Sequence, residues 1–130
     1  VTKILCIEDN LRNMRLVQKM LAGTPHTFLE ASSGTTAKEM IATQEPDIIL
    51  LDINLPDVDG TQIATWVKTT PELAHIPIIA LTANAMHGDK ERFLGGGCDA
   101  YIAKPITRRE LLDTIRELLK PRDIDNPEHR

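Results

Sequence analysis

Aromatic residues are scarce in this chain: one Trp, one Tyr and two Phe among 130 residues. No cluster of lysine or arginine makes up for them, and the formal net charge is −4. A nucleic-acid surface needs a basic stripe or stacking platforms, so no direct nucleic-acid partner is expected. Long apolar runs are missing too. None exceeds four residues, so no segment is expected to insert into a membrane. The opening VTKILCIEDN reads as a strand followed by acids, not as a secretory leader. Val1 stands where an initiator methionine would, which leaves open a removed initiator or a piece cut from a longer protein. Cysteine is sparse: Cys6 and Cys98, both in apolar stretches, are too few for a structural zinc site. The expectation is two free, buried thiols in a reducing cytoplasm.

What is present is an ordinary globular composition, 42% hydrophobic and 26% charged. The length suits one domain able to form a core without staples. That domain is expected over residues 1–120, followed by a polar, proline-bearing tail over 121–130.

Short apolar runs alternate with segments of helical period. KILCI (3–7), TFLEA (27–31), DIILL (47–51), PIIAL (77–81) and AYIA (100–103) read as strands. Helices are expected over Leu11–Ala22, Thr35–Gln44, Gly60–Thr69, Ala85–Leu94 and Thr107–Lys120. The last carries an apolar face of Leu111, Leu112, Ile115, Leu118 and Leu119, with Thr107 and Glu110 spaced as a capping box. Leu11, Met14, Met20 and Leu21 form a weaker stripe on the first, and the run of glycines at 95–97 stops the fourth. Five strand–helix alternations imply a doubly wound α/β domain, a parallel sheet covered on both faces. The IILL run, apolar on both sides, fits a central strand.

Ligands of such sheets gather at the carboxyl ends of the strands. Strand one ends in Glu8 and Asp9, strand three in Asp52 and strand four in Thr82, while strand five leads into Lys104 and Pro105. Clustered carboxylates repel one another unless a cation intervenes. Hard oxygen donors suit Mg²⁺, so Glu8, Asp9, Asp52 and the backbone carbonyl of Asn54 are the expected ligands. Asp52 can then act as a nucleophile toward phosphorus. Lys104 and the Thr82 hydroxyl are placed to neutralise phosphoryl oxygens, and small Ala83 leaves the approach open.

Duller readings exist for each residue singly. The acid pair could cap the first helix, Asp52 could be a loop acid, Thr82 a helix cap and Lys104 a solvated cation. Their coincidence at four strand ends favours a joint site.

The segments IEDN, LLDINLPDVDG, LTANAM and AYIAKPI, in this order, resemble the receiver domain of bacterial two-component response regulators. The resemblance runs from about Lys3 to Lys120 and is nearest in look to DivK-like single-domain regulators and receivers of hybrid histidine kinases. It implies a flavodoxin-like (βα)5 fold with strand order 2-1-3-4-5. Asp52 would be the phosphoacceptor, Glu8 and Asp9 the Mg²⁺-binding pair and Lys104 the phosphoryl-binding lysine, with Glu8 replacing the commoner Asp. Thr82 and Tyr101 would be the switch pair, and Lys104–Pro105 a cis peptide. A histidine kinase or histidine phosphotransfer protein would donate the phosphoryl group. The fourth helix, fifth strand and fifth helix would form the output face, where Met86, His87, Arg92, Phe93 and Tyr101 are the expected contacts. The resemblance also implies a phosphoacceptor, not a turnover enzyme, with Asn54 and Asn84 tuning hydrolysis.

Three alternatives remain. A flavodoxin-like electron carrier would need a Ser/Thr/Gly-rich loop where EDN stands. A haloacid-dehalogenase-like phosphatase would need a second Asp where Asn54 stands. A non-phosphorylated interaction module would have no reason to keep all five polar residues.

Overall fold

The computed structural model describes residues 2–83 and 96–119. The helix expected over Ala85–Leu94, Gly95 and the tail from residue 121 lie outside them. Five parallel strands, β1 (Lys3–Ile7), β2 (Thr27–Ala31), β3 (Ile48–Asp52), β4 (Ile78–Thr82) and β5 (Ala100–Ala103), form one sheet in the order β2-β1-β3-β4-β5. The helices are α1 (Leu11–Leu21), α2 (Gly34–Gln44), α3 (Gly60–Thr69) and a C-terminal helix (Arg108–Leu119).

β3 and β4 are buried at every position, as expected for central strands covered on both faces. Strand alternation divides their side chains into two layers. Leu5, Ile7, Ile49, Leu51, Ile78 and Ala80 pack toward α2 and α3. Ile4, Cys6, Ile48, Leu50, Ile79 and Leu81 pack toward α1 and the C-terminal helix. The flavodoxin-like expectation holds.

Two strands begin one residue later than expected, at Ile48 and Ile78, and run on through Asp52 and Thr82. The backbone explains this. Ile53 N–H donates to the Leu81 carbonyl (3.2 Å) and Lys104 N–H to the Thr82 carbonyl (2.7 Å), so the ladder does not stop where the side chains become polar. On α1 the buried stripe is Met14, Val17 and Leu21, whereas Leu11 is 69% exposed and Met20 only partly covered. Leu11 opens the first turn, at the rim of the sheet. The acids do not cap α1 either: Asn10 does, its side-chain oxygen accepting the Asn13 N–H at 3.0 Å. Thr107 caps the C-terminal helix as expected, accepting from Glu110 N–H at 3.2 Å. Cys6 and Cys98 are free and buried. Burial raises both thiols above the ordinary cysteine range, Cys98 to about 11.

Candidate functional site

The register of the central strands brings the acids together. Ile7 pairs with Leu51, so the next residues, Glu8 and Asp52, leave the sheet side by side. Leu81 pairs with Asp52, and Thr82 with Ala103 across the following pair, which delivers Lys104 to the same rim. Asp52 continues the side-chain parity of Ile48 and Leu50, and Glu8 that of Ile4 and Cys6. Both carboxylates therefore rise on the side facing α1 and the C-terminal helix. The Lys104–Pro105 peptide is cis, as expected.

Glu8 and Asp52 are held alike. Glu8 Oε2 accepts the Asn10 N–H at 3.1 Å, and Asp52 Oδ1 accepts the Asn54 N–H at 3.0 Å. In each, an amide two residues downstream fixes one oxygen. The other oxygen turns toward Lys104, whose Nζ lies 3.1 Å from Glu8 Oε1 and 3.7 Å from Asp52 Oδ2. Both acids are buried, while Asp9 is exposed. The Glu8 carboxyl titrates above the usual carboxylate range. Burial is the main cause, followed by its hydrogen bond to Asp52, and Lys104 pulls only partly the other way.

These groups fit a hard divalent cation. Glu8, Asp9 and Asp52 each offer a carboxylate oxygen, and the three oxygens lie within 4.8 Å of one another. Two of the three acids are buried, and among the described residues one ammonium, that of Lys104, lies against them, so three carboxylates face one positive charge there.

Thr82 is buried, and its strand parity places it with Ala80 on the α2–α3 side of the sheet. Tyr101 pairs with Ala80 and packs, partly buried, against that same layer. The two thus share a face. Asn84, Met86, His87, Arg92 and Phe93 lie outside the described residues.

The loop behind Asp52 is tightly closed. Gly60 N–H donates to the Ile53 carbonyl at 2.9 Å, and Asn54 forms an antiparallel bridge with Asp59. A Cβ on Gly60 would lie 2.7 Å from Ile53 Cα and 2.9 Å from the Asp52 carbonyl oxygen, so only glycine fits there.

Sequence reasoning missed an apolar cleft of about 380 Å³ beside the acids, lined by Leu16, Val17, Met20, Pro105 and Ile106 next to Glu8 and Lys104. Leu11 and Leu16 are the exposed large apolar side chains among the described residues. The signal was present for Leu16, which lies off the buried stripe of α1, whereas Leu11 shares the angle of Met14 and is exposed at the first turn. Asp57 was missed as well. Its carboxylate spans to the start of α2, and no local pattern in the sequence links those two segments.

The family model for the response regulator receiver domain matches residues 4–116. The polar-differentiation response regulator DivK of Brucella ovis is 41% identical over 116 residues, covering 89% of this chain and 94% of that protein. The receiver domain of the sensor histidine kinase PA1611 from Pseudomonas aeruginosa PAO1 superposes with a TM-score of 0.83 at 34% identity, covering 91% of this chain and 97% of that one. It carries a magnesium ion coordinated in its active-site cleft. A CheY-like receiver domain protein from Methanospirillum hungatei JF-1 superposes with a TM-score of 0.83 at 27% identity, covering 98% of each chain. Among the described residues, no helix is long and apolar enough to cross a membrane.

Proposed function

The chain belongs to the response regulator receiver domain family of two-component signalling, and from that premise we propose that Asp52 is its phosphoacceptor in a Mg²⁺-dependent phosphorelay. The observation that carries the proposal is the pairing of Asp52 and Glu8 under one ammonium at the carboxyl edge of the sheet. Glu8, Asp9, Asp52 and the Asn54 carbonyl are the proposed metal ligands. The Mg²⁺-bound P. aeruginosa receiver supports that choice by analogy. When bound, the ion would offset charge on the phosphoryl oxygens and between the acids.

The chain's own residues do the rest. The Asp52 oxygen turned toward Lys104 forms the new O–P bond. The bond from phosphorus to the imidazole nitrogen of a donor phosphohistidine breaks, and its electron pair stays on that nitrogen. The Lys104 ammonium holds one phosphoryl oxygen and Thr82 another. The added charge draws the Thr82 hydroxyl toward the phosphoryl group, and Tyr101 follows into the space on the shared face. The face to which β5 and the C-terminal helix contribute then presents a new surface to a downstream protein.

The donor is a histidine kinase or a histidine phosphotransfer protein, docking over the apolar cleft. Exposed Leu16, which lines the cleft, favours a protein surface there. The chain is a phosphoacceptor and catalyses only its own phosphorylation and dephosphorylation.

Acetyl phosphate with Mg²⁺, read by intact mass, tests the proposal. One phosphoryl group should appear on the natural chain, none on Asp52→Ala and none with chelator present. Equal labelling of Asp52→Ala would overturn the assignment.

A further inference from the structure

The turn that carries Asn54 is tied to a distant helix. Asp57 Oδ1 accepts the Gly34 N–H at 2.9 Å, and Oδ2 accepts the Thr35 N–H at 3.1 Å and the Thr35 hydroxyl at 3.2 Å. Gly34 and Thr35 are the first two residues of α2. Their amides are among those that a helix leaves unbonded at its start, where the dipole also favours an anion. Ser33 already caps the helix through Thr36 N–H at 3.2 Å, so Asp57 takes the amides that this cap leaves over.

A second fit locks the same place by shape. A Cβ on Gly34 would lie 2.4 Å from Val58 Cγ2, so the glycine opening α2 makes room for the residue after Asp57. Val58 itself packs against the core layer beneath α2 and α3. Loop tip and helix start are therefore matched by both polar and steric contacts.

The base of the loop is the site. Asn54 bridges to Asp59, and the Asn54 N–H fixes Asp52 Oδ1. Between Asn54 and Asp59 the chain makes one closed turn, with Gly60 pressed on the backbone of Ile53. Displacing the tip tilts the turn, and the carbonyl and amide of Asn54 swing with it.

We infer that Asp57 is a positioning residue. By bonding the start of α2 it holds the β3–α3 loop at the angle that aims the Asn54 carbonyl and the Asp52 carboxylate at the shared cation. The inference rests on the metal-site reading above and deepens it.

The test compares the natural chain with Asp57→Ala, Asp57→Asn and Gly34→Ala. Each is scored for Mg²⁺ dissociation constant, acetyl-phosphate labelling rate at saturating Mg²⁺, and melting temperature. Asp57→Ala should weaken Mg²⁺ roughly tenfold, the low end for loss of a group that orients a ligand. Asp57→Asn keeps an acceptor oxygen and should recover most of that loss. Gly34→Ala, whose Cβ would meet Val58 Cγ2 at 2.4 Å and crowd Asp57 Oδ1 at 3.2 Å, should shift the constant in the same direction. If Mg²⁺ affinity in Asp57→Ala and Gly34→Ala stays at the natural value while the melting temperature falls, the contact is only structural and the inference fails. If the natural chain itself neither binds Mg²⁺ nor takes a phosphoryl group, the metal-site reading fails first, and the inference with it.

Discussion

The Lys104 ammonium sits 3.1 Å from the carboxylate of Glu8, although ninety-six residues separate them in the chain. It stands 0.6 Å closer to Glu8 than to Asp52, the difference between 3.7 and 3.1 Å. Before any phosphoryl group arrives, the lysine is thus shared between the two acids and leans toward the supporting one. On the proposed reading, a metal ion held by Glu8 would free that ammonium for a phosphoryl oxygen on Asp52, and metal and phosphoryl binding would then be cooperative.

Lys104→Met removes the one basic group that, among the described residues, pairs with these acids. Two buried carboxylates are then left to face each other. The expected loss is about 1–3 kcal/mol of stability at neutral pH, the usual penalty for stranding a buried polar group. Mg²⁺ should restore more stability to this variant than it adds to the natural chain. Urea unfolding with and without Mg²⁺ measures both, and an unchanged midpoint in Lys104→Met would contradict the charge-sharing account.

Glu8 sets a pH dependence whose sign follows from its raised titration. A carboxyl with a higher pKa folded than unfolded binds extra protons in the native state between the two values. Stability therefore falls as pH rises through that window, and the loss is complete above the folded value. Glu8→Gln lacks this slope. It should be at least as stable as the natural chain at neutral pH without metal, with the advantage vanishing below about pH 4, the ordinary glutamate range. Mg²⁺ competes with the same proton, so its apparent affinity should drop on acidification through the raised value, and in Glu8→Gln it should be weak throughout. Calorimetric titration at several pH values checks this.

Gly60→Ala meets backbone at 2.7 and 2.9 Å, with no side chain able to move aside. Overpacking of this kind costs about 1–3 kcal/mol. The disturbance falls on Ile53 and the Asp52 carbonyl, so a weaker Mg²⁺ response should accompany a melting point lower by several degrees. A variant of natural stability and natural Mg²⁺ affinity would show that the loop has room the distances deny.

Much of the molecule was legible in the residues. β1, β2, β5 and α3 fall where apolar period and turn chemistry put them, and from the polar residues at the strand ends Glu8, Asp9, Asp52 and Lys104 come together, while Thr82 lies with Ala80 on the α2–α3 side. The misreadings each have a physical reason. Strands β3 and β4 run on through Asp52 and Thr82 because ladders are made by backbone groups, which the side-chain pattern does not report. Leu11 counted as core because periodicity ranks residues by angle around a helix, not by distance from the sheet rim. The duller reading of the acids as caps for α1 fails because Asn10 lies one residue nearer the first free amides.

The sequence by itself determined the alternation of strands and helices, the two-sided burial of the central strands, and which residue types stand at the carboxyl edge. These follow from local rules: the periods of two and of 3.6, and the turn chemistry of glycine and proline. Only the tertiary structure decided which oxygen of each acid faces Lys104, that the lysine leans toward Glu8, and that Asp57 reaches the start of α2. Such distances depend on the register between segments far apart in the chain, which is set by the packing of both core layers at once.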